Sequence, residues 1–218
     1  MKTINRSNVE KLIVPKRSLY RVVKRVMDIL GAFVGIIILS PIFLLFAIAI
    51  KIDSPKGSVI FKQIRVGKNG KEFKMYKLRS MCVDAEAQLA NLLAQNEVQG
   101  AMFKIKDDPR ITRVGRVIRK TSIDELPQLW NVLKGDMSLV GPRPPLPREV
   151  EEYTDYDWQR LMVTPGCTGL WQVSGRSNLG FADMVELDLE YIRNISLGND
   201  IKILFKTVGV MVGSDDAY

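Results

Sequence analysis

Apolar residues are concentrated in one part of this chain. From Val26 to Ile50 they form a nearly unbroken run, VMDILGAFVGIIILSPIFLLFAIAI, interrupted by one charge, Asp28, and one Ser40-Pro41 pair. An unbroken helix over this run would reach roughly 37 Å, more than the bilayer's hydrocarbon core of about 30 Å. Almost every face of it is apolar, unlike a core helix of a soluble domain, and it ends at Lys51-Ile52-Asp53 without the small-residue pattern of a cleaved signal peptide. Two membrane paths fit: a spanning helix kinked at Pro41, or a re-entrant helix-break-helix that enters and leaves by one face. Pro41 lacks an amide hydrogen and crowds the preceding turn, so a bend there has a cause, and Ser40 is placed to satisfy a freed carbonyl. Asp28, beside Lys24 and Arg25, is expected to snorkel to the interface.

Beyond the run the pattern shortens to a period of two. Ser58–Met81 alternates apolar, aromatic and basic residues around Asn69-Gly70, the signature of a β-hairpin. Helical spacing returns over Val83–Gln99, in the basic stretch ITRVGRVIRK after Asp107-Asp108-Pro109, over Thr121–Leu133 with Gly135 as its stop, over the acidic Arg148–Leu161, and over Ala182–Ile195 and Asp200–Val212. The last carries Ile201, Leu204, Phe205, Val208 and Met211 on one face, which fits either a membrane surface or core packing. Met102-Phe103 is read as core or membrane-facing. A proline-rich loop, Val140–Pro147, and a glycine-rich stretch from Thr164 to Asn178 separate these helices. The fold class is therefore α+β and helix-rich: a basic segment 1–25, a re-entrant membrane hairpin 26–50 broken at Ser40-Pro41, and a cytoplasmic domain 51–218 with a β-hairpin and membrane-surface amphipathic helices.

Charge adds the topology. Residues 1–25 hold eight Lys/Arg against Glu10, and residues 51–79 hold nine against Asp53 and Glu72, whereas the chain from Glu149 onward holds five against twelve acidic residues. The positive-inside rule keeps both basic flanks on the cytoplasmic side, which favours the hairpin. An acidic C-terminal third is not the distribution of a simple nucleic-acid binder. The chain has no histidine and only two cysteines, Cys82 and Cys167, which removes Ser-His and Cys-His nucleophiles and histidine metal sites. The remaining chemistry belongs to carboxylates, Lys, Arg, hydroxyls or an oxygen-bound metal.

One stretch concentrates such groups: Arg119-Lys120-Thr121-Ser122-Ile123-Asp124-Glu125-Leu126-Pro127. Ser122 and Glu125 have capping-box spacing, and Asp124 suits the first turn of a helix. The same carboxylates, with Arg113, Arg116, Arg119 and Lys120 just upstream, also make a place where phosphate and a divalent cation meet. The proline-rich loop holds Arg143 between Pro142 and Pro144, a restrained backbone for presenting a guanidinium to an anion. Lys77 and Arg79 on the second hairpin strand add positive charge if they face the same cleft, and are otherwise a solvated face near anionic lipid. Arg176 stands among small residues that let backbone approach a ligand. Trp171 is read as a stacking surface for a base or sugar, or as core.

These residues resemble the monotopic polyprenol-phosphate phosphoglycosyl transferases, the bacterial sugar transferases. The carriers run from Lys24 to the C-terminus: KRVMDILGA with the Ser40-Pro41 break, GSVIFKQIRVGKNGKEFKMYKLRSM, DPRITRVGRVIRKTSIDELPQLWNVLKGDMSLVGPRPP and PGCTGLWQVSGRS. The resemblance implies a re-entrant membrane helix and transfer of a sugar-1-phosphate from a UDP-sugar to a polyprenol phosphate, usually undecaprenyl phosphate, with release of UMP. It implies Asp124 as nucleophile in a phosphosugar-aspartyl intermediate. Glu125 is then a metal ligand or the base toward the acceptor, and Mg²⁺ (or Mn²⁺) is bound by Asp124 and Glu125. Arg119, Arg143 and Lys77 match the family's basic residues, with Arg79 near. Larger members carry an N-terminal bundle of spanning helices, so a short member and the catalytic region of a longer protein are both open readings. The VSGRS and NISLGNDIKILFKTV wording is closest to hexose-1-phosphate transfer, glucose or galactose, in exopolysaccharide, capsule or O-antigen initiation. The expected place is the bacterial inner membrane with the catalytic domain cytoplasmic. The expected partners are UDP-sugar, polyprenol phosphate and membrane lipid, no nucleic acid, and a homo-oligomer left open. Two alternatives stand: direct transfer through a ternary complex, and a non-catalytic membrane-attached scaffold for a polysaccharide assembly complex.

Overall fold

The computed structural model describes residues 12–15, 18–92, 105, 107–175 and 180–213. Helix α1, Ser18–Asp53, runs 36 residues and continues through Pro41. The carbonyl that Pro41 cannot bond is that of Ile37, and the Ser40 hydroxyl donates to it at 2.8 Å. Helical residues thus continue on both sides of Ser40-Pro41 without a non-helical gap, and the serine hydroxyl takes the place of the missing backbone donor.

One side of α1 lies on the rest of the protein along much of its length. Tyr20 and Lys24 reach Asp200 at 2.8 and 3.0 Å, and Arg25 donates to the carbonyls of Val132 and Leu133 at 2.6 and 2.8 Å. Asp28 does not snorkel. It is buried and accepts from the Ser138 hydroxyl at 3.0 Å and the Leu139 amide at 2.9 Å, because that segment, distant in sequence, brings two donors to it. Ala32 packs with Met75, Val132 and Met137, and Ile50 with Leu78 and Ile118. Leu12, before the helix, is buried with Val185 and Leu189 and donates its amide to Gln159 at 2.6 Å, while Asp53 at the other end accepts from the Val114 amide at 3.3 Å. The opposite side is an apolar surface: Leu30, Phe33, Ile37, Leu44, Leu45 and Ile48 are each more than half exposed.

Strands β1, Ile60–Val66, and β2, Glu72–Leu78, form the antiparallel hairpin in the register Ile60↔Leu78 to Val66↔Glu72. Asn69 and Gly70 both have positive φ, 57° and 79°, as that pair permits, but within a longer connection that includes a 3-10 turn over Lys68–Gly70. Helix α2, Ala85–Leu92, covers the first half of the expected Val83–Gln99, and the rest lies outside the described residues, as does Met102-Phe103. Helix α3, Arg113–Lys120, is capped by Thr112, whose hydroxyl accepts from the Gly115 amide at 2.9 Å. Gly115 is required there, since a Cβ would stand 1.9 Å from the Ser80 carbonyl oxygen.

Helix α4, Gln128–Lys134, ends at Gly135 with φ 89°. Strand β3, Ser138–Val140, pairs in parallel with β4, Gly166–Thr168, a sheet that the shortness of both strands concealed. Gly141 and Gly166 approach so closely that a Cβ on Gly166 would lie 2.1 Å from the Gly141 nitrogen. The expected acidic helix over Arg148–Leu161 is three short elements: α5, Pro147–Glu151; α6, Asp155–Trp158; and a 3-10 turn, Gln159–Met162. Thr154 restarts it through a capping box with Asp157. Helices α7, Phe181–Arg193, and α8, Leu197–Gly213, close the chain. On α8, Ile203 is buried while Ile201, Phe205 and Val208 face outward.

Candidate active site

Asp124 and Glu125 stand on a 3-10 turn, Ile123–Glu125, between α3 and α4. The single helix expected over Thr121–Leu133 is divided, and the capping box expected of Ser122 does not form. Ser122 lies in the left-handed region (φ 57°, ψ 18°) with no side-chain cap bond, and Pro127 supplies no amide to the Ile123 carbonyl, which accepts from Leu126 at 3.2 Å instead. A non-glycine residue with positive φ is held there by its surroundings. Those surroundings are Ile118, fully buried, and Ile123, packed on the same cluster with Ile50 and Leu78. The turn faces Asp124 inward, where it is buried, and leaves Glu125 half-buried.

Lys77 on β2 meets both carboxylates. Its Nζ lies 2.8 Å from Glu125 Oε1 and 3.5 Å from Asp124 Oδ2. The strand and the dyad are held together by Asn131, a fully buried residue on α4. Its Oδ1 accepts from the Tyr76 amide at 3.0 Å, and its Nδ2 donates to the Lys74 carbonyl at 2.8 Å and to Asp136 at 3.2 Å. Burial pushes the Asp124 carboxyl above its ordinary range, and Glu125 pushes it further up, while Lys77 and Arg119 pull it down without cancelling the rise. The Cys167 thiol is pushed up by burial, which keeps it protonated.

Of the other residues singled out in the sequence, Arg119, in the last turn of α3, acts on Asp124 through its charge. Arg143 keeps its place between two prolines, with Nη1 3.5 Å from Glu149 Oε2. Arg79 does not join the dyad. Strand pairing ends at Leu78, and Arg79 turns back to donate to the Ser58 carbonyl and hydroxyl at 2.7 and 2.9 Å, over the Phe61 ring. Arg176 lies outside the described residues. Trp171 heads a 3-10 turn and is half-buried. Three site-building features escaped the sequence reading: Arg65, buried on β1; Asn131, whose one signal is a polar residue inside an apolar helical stripe; and the buried Arg160–Asp188 pair.

A groove of about 1060 Å³ opens beside the dyad. Ile36, Leu39, Ser40 and Phe43 of α1 form one wall, and Leu126, Pro127 and Trp130, which follow the dyad directly, form another. Arg79 and Tyr76 line it from the hairpin. It is a largely apolar slot between the membrane-type helix and the segment that follows the carboxylates in sequence, with Lys62 and Arg79 along it. For a metal, the described residues offer no cluster of three acidic, Cys or His ligands. The Asp124-Glu125 pair suits a hard divalent cation of the kind bound by one or two carboxylates and completed by phosphate oxygens and water.

A family profile described as bacterial sugar transferase matches residues 19–214. Galactosyl transferase CpsE of Streptococcus agalactiae serotype III is 50% identical over 192 residues, 88% of this chain and 42% of that protein. Undecaprenyl-phosphate galactose phosphotransferase of Salmonella typhimurium is 49% identical over 202 residues, 91% of this chain and 42% of that protein. Exopolysaccharide production protein ExoY of Rhizobium meliloti is 39% identical over 227 residues, covering both chains in full. The chain thus spans about 42% of the length of the first two and the whole of the third. On the profile match, on this last relationship and on the residues gathered around Asp124, the chain belongs to the bacterial sugar transferase family.

Proposed function

We propose that this protein transfers a hexose-1-phosphate, glucose or galactose, from a UDP-sugar to undecaprenyl phosphate, the first step in building an exopolysaccharide, capsule or O-antigen. The observation that carries this reading is a buried carboxylate, Asp124, beside Lys77 and two residues before Leu126, which with Pro127 lines an apolar groove shared with α1. An Asp124 oxygen attacks the sugar-side phosphorus of the donor. The bond from that phosphorus to the bridging oxygen breaks, and its electron pair leaves with UMP. An oxygen of the acceptor phosphate then attacks the same phosphorus and Asp124 departs as the carboxylate. Glu125 takes the acceptor's proton when it arrives protonated. Lys77, Arg119 and Arg143 offset the charge of the diphosphate. Asp124 and Glu125 would hold Mg²⁺ or Mn²⁺, which supplies further charge neutralisation on the phosphates when bound. The groove takes the first isoprene units of the acceptor, so lipid and nucleophile meet without the lipid leaving the membrane.

We also infer that α1 enters the cytoplasmic membrane from the cytoplasmic face and returns to it. Leu12 before the helix and Ile50 and Asp53 at its end pack on one body, so a spanning path would draw that body into the bilayer. The exposed apolar side of α1 and the Ile201, Phe205 and Val208 face of α8 are the surfaces that lipid would cover.

The test is UMP release with undecaprenyl phosphate across a panel of UDP-sugars. UDP-glucose or UDP-galactose is expected to be used, and Asp124→Asn to lower the rate by about 10³-fold or more while the protein stays membrane-bound. Absence of release with every donor points to a scaffold and overturns the reading.

A further inference from the structure

The loop that presents Arg143 is held by its carbonyls. Pro142, Pro144 and Pro145 have no amide hydrogen to give, and each carbonyl from 142 to 145 accepts from a different donor. Pro142 accepts from the Gly166 amide at 2.9 Å, and Arg143 from Arg160 Nη2 at 3.2 Å. Pro144 accepts from Arg65 Nη1 at 2.9 Å, and Pro145 from the Val66 amide at 2.9 Å. Two of these donors are guanidiniums almost wholly buried, Arg65 at 6% exposure and Arg160 at 1%.

The two are not equivalent. Arg160 has a carboxylate partner, Asp188, and the Tyr153 hydroxyl at 2.7 Å. Arg65 donates Nε and Nη2 to the Gln63 side-chain oxygen at 3.0 and 2.7 Å, so its described hydrogen-bond partners are all neutral. Glu149 and Glu125 act on it only through charge, opposed by Arg143 and Arg148, so no carboxylate holds this buried cation by a described hydrogen bond and stability alone does not account for it. Its location does. Arg65 occupies the carbonyl of Pro144, the residue next to Arg143. Glu149, the acid nearest Arg143, is already engaged by the Leu146 amide at 2.8 Å and leaves Arg143 at 3.5 Å. Arg143 is braced from behind by positive charge and only loosely paired.

We propose that Arg65 is a positioning residue for Arg143: its buried guanidinium pins the Pro144 carbonyl and turns the Arg143 guanidinium toward the diphosphate of the nucleotide-sugar donor. This rests on the transfer reaction proposed above. The test is a double-mutant cycle of Arg65→Gln and Arg143→Ala in the membrane-bound protein, read as KM and kcat for the donor and as the Kd of UDP-glucose or UDP-galactose, with thermal unfolding run on each variant. Arg65→Gln is expected to raise KM and Kd roughly tenfold with a smaller change in kcat, and to add less than about twofold once Arg143 is alanine. Arg65→Lys, which keeps the charge without the fork, is expected to recover part of the loss. If Arg65→Gln does not fold, Gln63→Leu leaves the guanidinium in place without its support. It is expected to raise KM about threefold, again only while Arg143 is present. Fully additive losses, or an unchanged KM, overturn the proposal while wild-type transfer stands. A wild-type protein that neither releases UMP nor binds the donor removes the transfer reaction and this role with it.

Discussion

Two acid–base groups of the molecule, one sealed and one partly open, serve opposite ends. Arg160 and Asp188 are sealed from solvent, one cation to one carboxylate, with the Tyr153 hydroxyl as an added partner. At the dyad, two carboxylates surround one ammonium, Lys77, and the group stays partly open: Glu125 is 42% exposed and Lys77 23%. A closed pair with matched charge fixes structure, here the Arg143 carbonyl and the packing of α7. An open group with two acids to one lysine is left with unmatched negative charge, which in the proposed reaction a metal would offset. The difference lies in stoichiometry, in access and in the cation, a forked guanidinium in one and an ammonium in the other.

The comparison is most sharply tested by removing one member of the sealed pair. Asp188→Ala leaves a buried guanidinium uncompensated and is expected to lose about 3–5 kcal/mol in chemical denaturation, whereas the double change Arg160→Met with Asp188→Leu is expected to recover most of that stability. Failure of the double variant to recover would mean that Arg160 is needed for its bond to Arg143 rather than for the pair. At the open group, Lys77→Met is expected to act on charge rather than on folding. Lys77 favours the ionised form of Asp124, so its loss should move the Asp124 carboxyl midpoint, followed by infrared in metal-free protein, still further above the ordinary range. A midpoint that stays in place would separate Lys77 from Asp124. Asn131→Ala removes the link between α4 and β2, leaves two backbone groups without partners, and is expected to cost about 1–3 kcal/mol, with a fall in activity as Lys77 loses its register. The smallest effect is expected of Ser122→Gly, which relieves the positive φ and should raise stability by less than about 1 kcal/mol in thermal unfolding.

Local patterning made much of the fold legible. The apolar run, the Asn69-Gly70 hairpin, and the helices at Phe181–Arg193 and Leu197–Gly213 follow from period and turn chemistry alone. The carriers Asp124, Glu125, Lys77, Arg119 and Arg143 were readable as types in a pattern, and the structure brings Lys77 and Arg119 to the dyad. Long-range pairing was not readable. The β3–β4 sheet depends on two three-residue strands, too short to show a period. Asp28 reads as an interfacial charge until Ser138 and Leu139, far along the chain, supply its donors. Ser122 and Glu125 fit a capping box by spacing, yet Pro127 three-tens the turn and takes the serine out of cap geometry. Arg65 looked like one cation among nine in a basic hairpin region, and only the Pro144 carbonyl distinguishes it.

The central claim is that Asp124 forms a covalent bond to the sugar phosphate. It is tested most directly by incubating the protein with UDP-sugar labelled in the sugar-side phosphate, with divalent cation and without lipid acceptor. The account predicts label on the protein, released when undecaprenyl phosphate is added, and none on Asp124→Asn. An unlabelled wild-type protein that still completes transfer when the lipid is supplied would contradict it and assign the reaction to a single direct step.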